Sequence, residues 1–229
     1  MGYLLLEGGA EFGGLMDKAD LRALALAGGP HARLSIIPAA AAPDHNHLLA
    51  GQRGESWFRG LGATHVTALP LIDRPSANSK NVAEALGRSC LIYMLGGFPH
   101  YLAQTLMGSL SWGAILAANR NGAVIAGSSA GAMVLCDQYY DPVSKMVEKG
   151  LNLVPGACVL PHHNTFGQGW ASQLAQRHPE ILLIGIDEET GMINDGPQGQ
   201  WQIYGKGSVT LYRRHQCRCY AGEETFALK

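Results

Sequence analysis

Ala123-Val124-Ile125-Ala126-Gly127-Ser128-Ser129-Ala130-Gly131 opens like a buried strand and ends like the start of a helix. Between the apolar run and the small residues lies Gly127-Ser128-Ser129-Ala130-Gly131, a G-x-S-x-G step. Such a step makes a sharp strand-to-helix turn that lifts one serine hydroxyl above the end of a sheet. Its glycines stand where a side chain would collide with neighbouring backbone. The free N–H groups of the helix start can meet a developing oxyanion. Ser129 is the candidate nucleophile. With 30 glycines in 229 residues, the bare pattern arises by composition in about one chain in five. The strand before it and the helix after it give it meaning.

Working outward, aliphatic and β-branched runs recur at residues 3–6, 34–38, 65–71, 90–95, 123–127, 158–160 and 181–186. Helix-length segments at 17–27, 48–61, 79–86, 101–119 and 167–177 separate most of them. Alternation of this kind predicts an α/β fold with a mostly parallel open sheet and helices on both faces. The tail differs. Trp201–Tyr204 and Ser208–Tyr212, joined through Gly205-Lys206-Gly207, read as a C-terminal β-hairpin on one edge. In an open α/β sheet the ligand crevice lies beyond the carboxyl ends of the strands. There Ser129, Gly96-Gly97 and the loop after Leu160 are expected to converge.

Hydrophobic residues make up 47% of the chain and charged residues 15%, so residues 1–229 read as one compact α/β hydrolytic domain without a disordered tract. A formal net charge of −1 gives no electrostatic reason to bind nucleic acid or an acidic membrane. Small-molecule or peptide chemistry is favoured, and a homo-oligomer is compatible with the composition. The five cysteines, an odd number with no C-x-x-C pair, argue against a disulfide framework and a zinc knuckle. No signal peptide and no membrane-spanning run is legible, so a cytoplasmic protein is expected.

A serine nucleophile needs a base. Pro161-His162-His163-Asn164 follows the strand Cys158-Val159-Leu160, so either imidazole can be expected at the elbow's sheet edge. The plainer reading makes these histidines loop packing. The base needs a carboxylate to orient it, and Asp187-Glu188-Glu189 follows the strand at 181–186. Asp137 and Asp141 lie closer in sequence and compete. Leu95-Gly96-Gly97-Phe98-Pro99 ends another strand in backbone free of side chains, which suits an oxyanion site shared with the Ala130 N–H. Asp44-His45-Asn46-His47 lacks a third ligand for a metal. Residues 8–14, though glycine-rich, lack the Lys-Ser/Thr of a phosphate loop. No metal or cofactor is expected.

The set GGFP at 96–99, GSSAGAMVL at 127–135, GLNLVPG at 150–156, PHH at 161–163 and GIDEETG at 185–191 resembles the aspartyl dipeptidase and cyanophycinase family of serine peptidases. The resemblance covers about the last two-thirds of the chain. It implies a fold related to class I glutamine amidotransferases and a Ser129, His162, Glu188 triad. It also implies an oxyanion hole from the N–H groups of Gly97 and Ala130. Gly96, Phe98, His163 and Asn164 are then candidates for substrate contact, and Asp141 is the alternative carboxylate. Cyanophycinases carry arginines shortly after the histidine, whereas this chain has Asn164 to Trp170 without one. Short peptides or isopeptides with a small or acidic residue before the scissile bond are therefore expected, rather than an arginine-bearing polymer. Arg74 is one candidate cation for such an acidic group, with a purely structural role as its plainer reading. The alternatives are an amidase or glutaminase-like enzyme and a catalytically idle binding protein.

Overall fold

The computed structural model describes residues 2–214, 216–222 and 224–228. In chain order the elements are β1 (Leu4–Glu7), α1 (Asp17–Leu26), β2 (Arg33–Ile37), α2 (His47–Gly60), β3 (His65–Ala68), α3 (Arg74–Ala77) and α4 (Lys80–Gly87). There follow β4 (Leu91–Met94), α5 (Pro99–Leu106), α6 (Leu110–Arg120), β5 (Val124–Ser128), α7 (Ala130–Leu135), β6 (Gln138–Asp141) and β7 (Met146–Lys149). The remainder is β8 (Ala157–Leu160), α8 (Gln168–Arg177), β9 (Leu182–Ile186), β10 (Thr190–Ile193), β11 (Trp201–Gly205), β12 (Ser208–Arg213), β13 (Gln216–Ala221) and β14 (Thr225–Phe226).

An eight-stranded sheet runs in the order β14-β11-β10-β1-β5-β4-β2-β3. From β1 to β3 every neighbouring pair is parallel, while β10, β11 and β14 extend the other edge antiparallel. The parallel strands read as continuous apolar runs because both their faces are covered. Leu5, Tyr93, Val124 and Ala126 pack toward α1 and α2, meeting Ala23 and Phe58. Their neighbours Leu6, Met94 and Ile125 face the opposite layer, with Leu86, Leu102, Ile115 and Val134 from α4 to α7.

The strands expected to lie in one sheet divide between two. β8 and β9 pair in parallel with each other and belong to a separate four-stranded sheet, β13-β12-β9-β8. Leu160 and Leu183 on one face meet Ala171 and Leu174 of α8. Val159, Ile184 and Ile186 on the other face join the main core.

The C-terminal hairpin is present, formed by β12 and β13. Trp201–Tyr204 and Ser208–Tyr212 do not pair with each other. Gly205 turns the chain at φ +104, in a place where a methyl would lie 2.1 Å from Glu189 O, and carries it from one sheet to the other. β11 then pairs with β10, and β12 with β9.

The single helix expected over 101–119 is two. Gly108 at φ +66 ends α5, and Ser109 starts α6 by accepting the Trp112 N–H at 3.0 Å. The hairpin β6–β7 has no counterpart in the strand signals. Among the described residues no helix is long and apolar enough to cross a membrane.

Candidate active site

The G-x-S-x-G step is a strained turn between β5 and α7. Ser129 sits at φ 48, ψ −111, a region costly for a residue with a side chain and persistent only where its surroundings fix it. Its N–H donates to Glu7 O at 3.0 Å, and its carbonyl accepts from Met133 N at 3.0 Å. Both glycines are required by close approach. A methyl on Gly127 would stand 2.5 Å from Gly131 C, and one on Gly131 would stand 2.3 Å from Met94 O.

Ser129 Oγ lies 3.0 Å from His162 Nε2, and His162 Nδ1 lies 2.7 Å from Glu188 Oε1. These three residues come from the ends of β5, β8 and β9. His162 takes a left-handed backbone, φ 50 and ψ 39. Its N–H donates to Gly8 O at 2.6 Å. Gly9 leaves room for the imidazole, since a methyl there would lie 2.3 Å from the ring. The glycine-rich segment after β1 is therefore a wall of the site.

The turn after β4 is held just as firmly. Phe98 N–H donates to Ala40 O at 2.9 Å. At Gly97, φ +134, a methyl would meet that same carbonyl oxygen at 2.3 Å. Among the described residues neither the Gly97 N–H nor the Ala130 N–H has an acceptor. Both N–H groups are thus unpaired with protein acceptors.

Glu11 was not singled out by its sequence. It accepts the Gly96 N–H at 3.2 Å. A methyl on Gly96 would lie 2.9 Å from Glu11 Oε2 and 3.2 Å from Ser129 Cβ, so carboxylate and serine face each other across one glycine. Burial raises the Glu11 pKa above the usual carboxylate range. An acidic residue just past a Gly-Gly turn at the end of a central strand was the available signal. Glu11, Gly96 and Gly97 line one end of a groove of about 880 Å³ whose other lining residues include Asp44, Arg53 and Trp57. Phe98 is not part of that lining; half-buried, it stands at the start of α5.

Four further candidates are engaged elsewhere. His163 turns away from His162 and is buried, with Nδ1 3.3 Å from Asp187 Oδ1 and Nε2 2.8 Å from the Tyr212 hydroxyl. The left-handed turn at His162 sends the two adjacent imidazoles in different directions. Asn164 accepts the Glu188 N–H on its side-chain oxygen at 2.9 Å, so it holds the turn that presents Glu188. Asp141 is occupied at the β6–β7 turn, accepting from Val143 N at 3.3 Å and Ser144 N at 3.0 Å. Burial opposes its charge, but the donors of Ser144 and Val143 outweigh it and hold the pKa low. Asp141 makes no contact with His162. Arg74 donates to the carbonyls of Gln104, Thr105 and Met107 at the end of α5, which is a structural role.

Beneath Ser129 lies a second acidic group. Glu7 and Asp20 are fully buried; the Tyr93 hydroxyl donates to Glu7, and Trp57 Nε1 donates to Asp20 Oδ2 at 2.8 Å. Glu7 Oε1 and Asp20 Oδ1 have no donor among the described residues. A proton on either carboxyl would give both oxygens a partner. Burial, then the facing Asp20, pushes the Glu7 pKa well up. Burial takes Asp20 to about 7.

The model of peptidase family S51 matches residues 4–200. The chain is 30% identical to a cyanophycinase from Trichormus variabilis over 215 residues, covering 87% of this chain and 71% of the relative. It is also 30% identical to a cyanophycinase from Geminocystis herdmanii, over 81% of this chain and 71% of the relative. Among solved structures, a peptidase from an acI-B1 Actinobacterium superposes with a TM-score of 0.87 at 26% identity, covering 100% of this chain and 97% of the other. A protein from Listeria monocytogenes, 19% identical with a TM-score of 0.62 over 93% of this chain and 98% of its own, has the same fold. With its family model matched from the first strand through the residues that gather around Ser129, the chain belongs to peptidase family S51.

Proposed function

We propose that this protein is a serine hydrolase that cleaves the amide bond of short peptides or isopeptides through Ser129, His162 and Glu188. Ser129 Oγ attacks the carbonyl carbon while His162 Nε2 takes its proton. Glu188 fixes the imidazole tautomer and stabilises the imidazolium. The N–H groups of Gly97 and Ala130 receive the oxyanion. His162 then returns the proton to the leaving amine, and a water molecule, activated by the same imidazole, releases the acyl group.

The observation that carries this reading is the unbroken path of hydrogen-bonding distances from Ser129 Oγ through His162 to Glu188, starting at a serine in a strained turn. The cyanophycinase relatives support peptide or isopeptide substrates. Asp44 and Arg53 on the wall of the groove beside Gly96 support a polar acyl residue. Arg53 on its wall is exposed and makes no ion pair among the described residues, so it is free to meet a substrate carboxylate.

The test is labelling of the purified protein by a fluorophosphonate, together with turnover of a dipeptide and isopeptide library rich in N-terminal Asp. Ser129→Ala is expected to abolish labelling and to lower turnover by about three orders of magnitude or more. His162→Ala should be nearly as severe, Glu188→Gln milder, and Ser128→Ala should retain labelling. Equal loss from the Ser128 and Ser129 variants would exclude this assignment. An unreactive Ser129 would make the site a binding site.

A further inference from the structure

We propose that Phe166 and Trp170 form the subsite for the residue on the amine side of the scissile bond, and that this subsite selects a large apolar or aromatic side chain. The inference deepens the hydrolase reading and rests on it.

The segment after His162 is a widened helical turn, His163–Gly167, of the rare five-residue kind that concentrates at functional sites. The His162 carbonyl accepts from both Thr165 N at 3.0 Å and Gly167 N at 2.9 Å. Gly167 is needed because a methyl there would stand 2.0 Å from Pro161 O. This turn brings Phe166 over the imidazole. The two rings stack with centroids 4.8 Å apart and planes 26° apart. Phe166 nevertheless remains 54% exposed. Trp170 meets it edge to face at 5.4 Å, and the buried Tyr140 backs Trp170 at 5.2 Å. An aromatic file thus runs from the imidazole through the exposed Phe166 and the half-buried Trp170 to the buried Tyr140, open at Phe166 and backed behind it.

Its position follows from the chemistry of the site. During acyl transfer the carbonyl oxygen points to the free N–H donors of Gly97 and Ala130. The leaving nitrogen must face His162 Nε2 to receive its proton. A side chain carried by that amine therefore emerges along the imidazole, where the Phe166 ring lies. The groove at Glu11, Gly96 and Gly97, whose wall mixes the charged Asp44 and Arg53 with Phe12 and Trp57, serves the other side of the bond. A side chain able to cover the open area of Phe166 gains by burial and by ring stacking.

The Ser129→Ala protein separates binding from turnover. It is titrated by calorimetry with four dipeptides that share an N-terminal Asp and end in Ala, Leu, Phe or Arg. The Leu and Phe peptides should bind about tenfold more tightly than the Ala peptide, and the Arg peptide more weakly than the Phe peptide. Adding Phe166→Ala should reduce the Phe-to-Ala ratio to about twofold, whereas Phe166→Tyr should restore it. The ring is exposed, so neither change threatens folding. Equal affinity for the Ala and Phe peptides, preference for Arg, no binding of any peptide, or a ratio unaffected by Phe166→Ala would each overturn the proposal. Absence of turnover or labelling in the unmutated protein refutes the hydrolase reading alone, because these affinities are measured without catalysis.

Discussion

At the scale of single residues, the sequence picks out Ser129, His162 and Glu188, and the structure brings them together. Each follows an apolar strand, which narrows the base to His162 or His163 and the carboxylate to residues 187–189. The choice of His162 and Glu188 among them comes from the family resemblance. The fate of the neighbouring side chains is not legible. His162 and His163 share a loop and a chemistry, and only the left-handed backbone at His162 decides which imidazole reaches the serine. Glu11 escapes because its place depends on the loop after β1 folding beside β4. The Glu7–Asp20 pair escapes because strand and helix are brought together only in the fold. That pair has a consequence for stability. Asp20, raised by burial to about 7 from 3.8, keeps a proton in the folded state that the unfolded chain loses first. Stability contributed by this proton is complete below about pH 4 and declines as pH rises toward 7. Asp20→Asn retains an acceptor for Trp57 and offers Glu7 an N–H in place of that proton. In thermal denaturation at pH 8 the variant should melt a few degrees above the parent, with the gap narrowing at pH 5. Parallel melting profiles across that range would count against a raised Asp20 pKa.

Elements were read with mixed success, for physical reasons. The parallel strands are found because burial on both faces makes them continuous apolar runs. The break between α5 and α6 is missed because Met107-Gly108-Ser109 carries apolar periodicity on both sides, and only the φ of +66 at Gly108 reveals the stop. The β6–β7 hairpin, polar and exposed along β7, gives no apolar signal. α7 is the element that fixes the turn at Ser129, and all six of its residues are buried. Its first turn crosses β4 so closely that Gly131→Ala puts a methyl into Met94 O at 2.3 Å. This contact is with backbone and cannot be relieved by a side-chain rotation. Gly131→Ala should lose about 1–3 kcal/mol or more in urea unfolding, and the fluorophosphonate rate at Ser129 should fall. An unchanged unfolding midpoint would show that the turn can shift.

For the molecule as a whole, the alternation of strands and helices gives the class of fold but not the partition of its strands. β8 and β9 carry the same apolar signal as β4 and β5, and nothing in their composition says that they build a second sheet. That partition has a further consequence. Ser129 lies on the part of the chain before the exposed turn at 142–145, while His162 and Glu188 lie after it. Cut in that turn, the protein becomes a two-piece device in which neither fragment holds all three of Ser129, His162 and Glu188. Folded protein nicked there through an inserted protease site should keep its fluorophosphonate reactivity. The pieces separated in denaturant should each be silent, and reactivity on mixing would then count reassembled pairs. A response from residues 1–142 alone would mean that Ser129 needs no help from the second sheet. Otherwise, covalent labelling of one serine becomes a direct meter of fragment association.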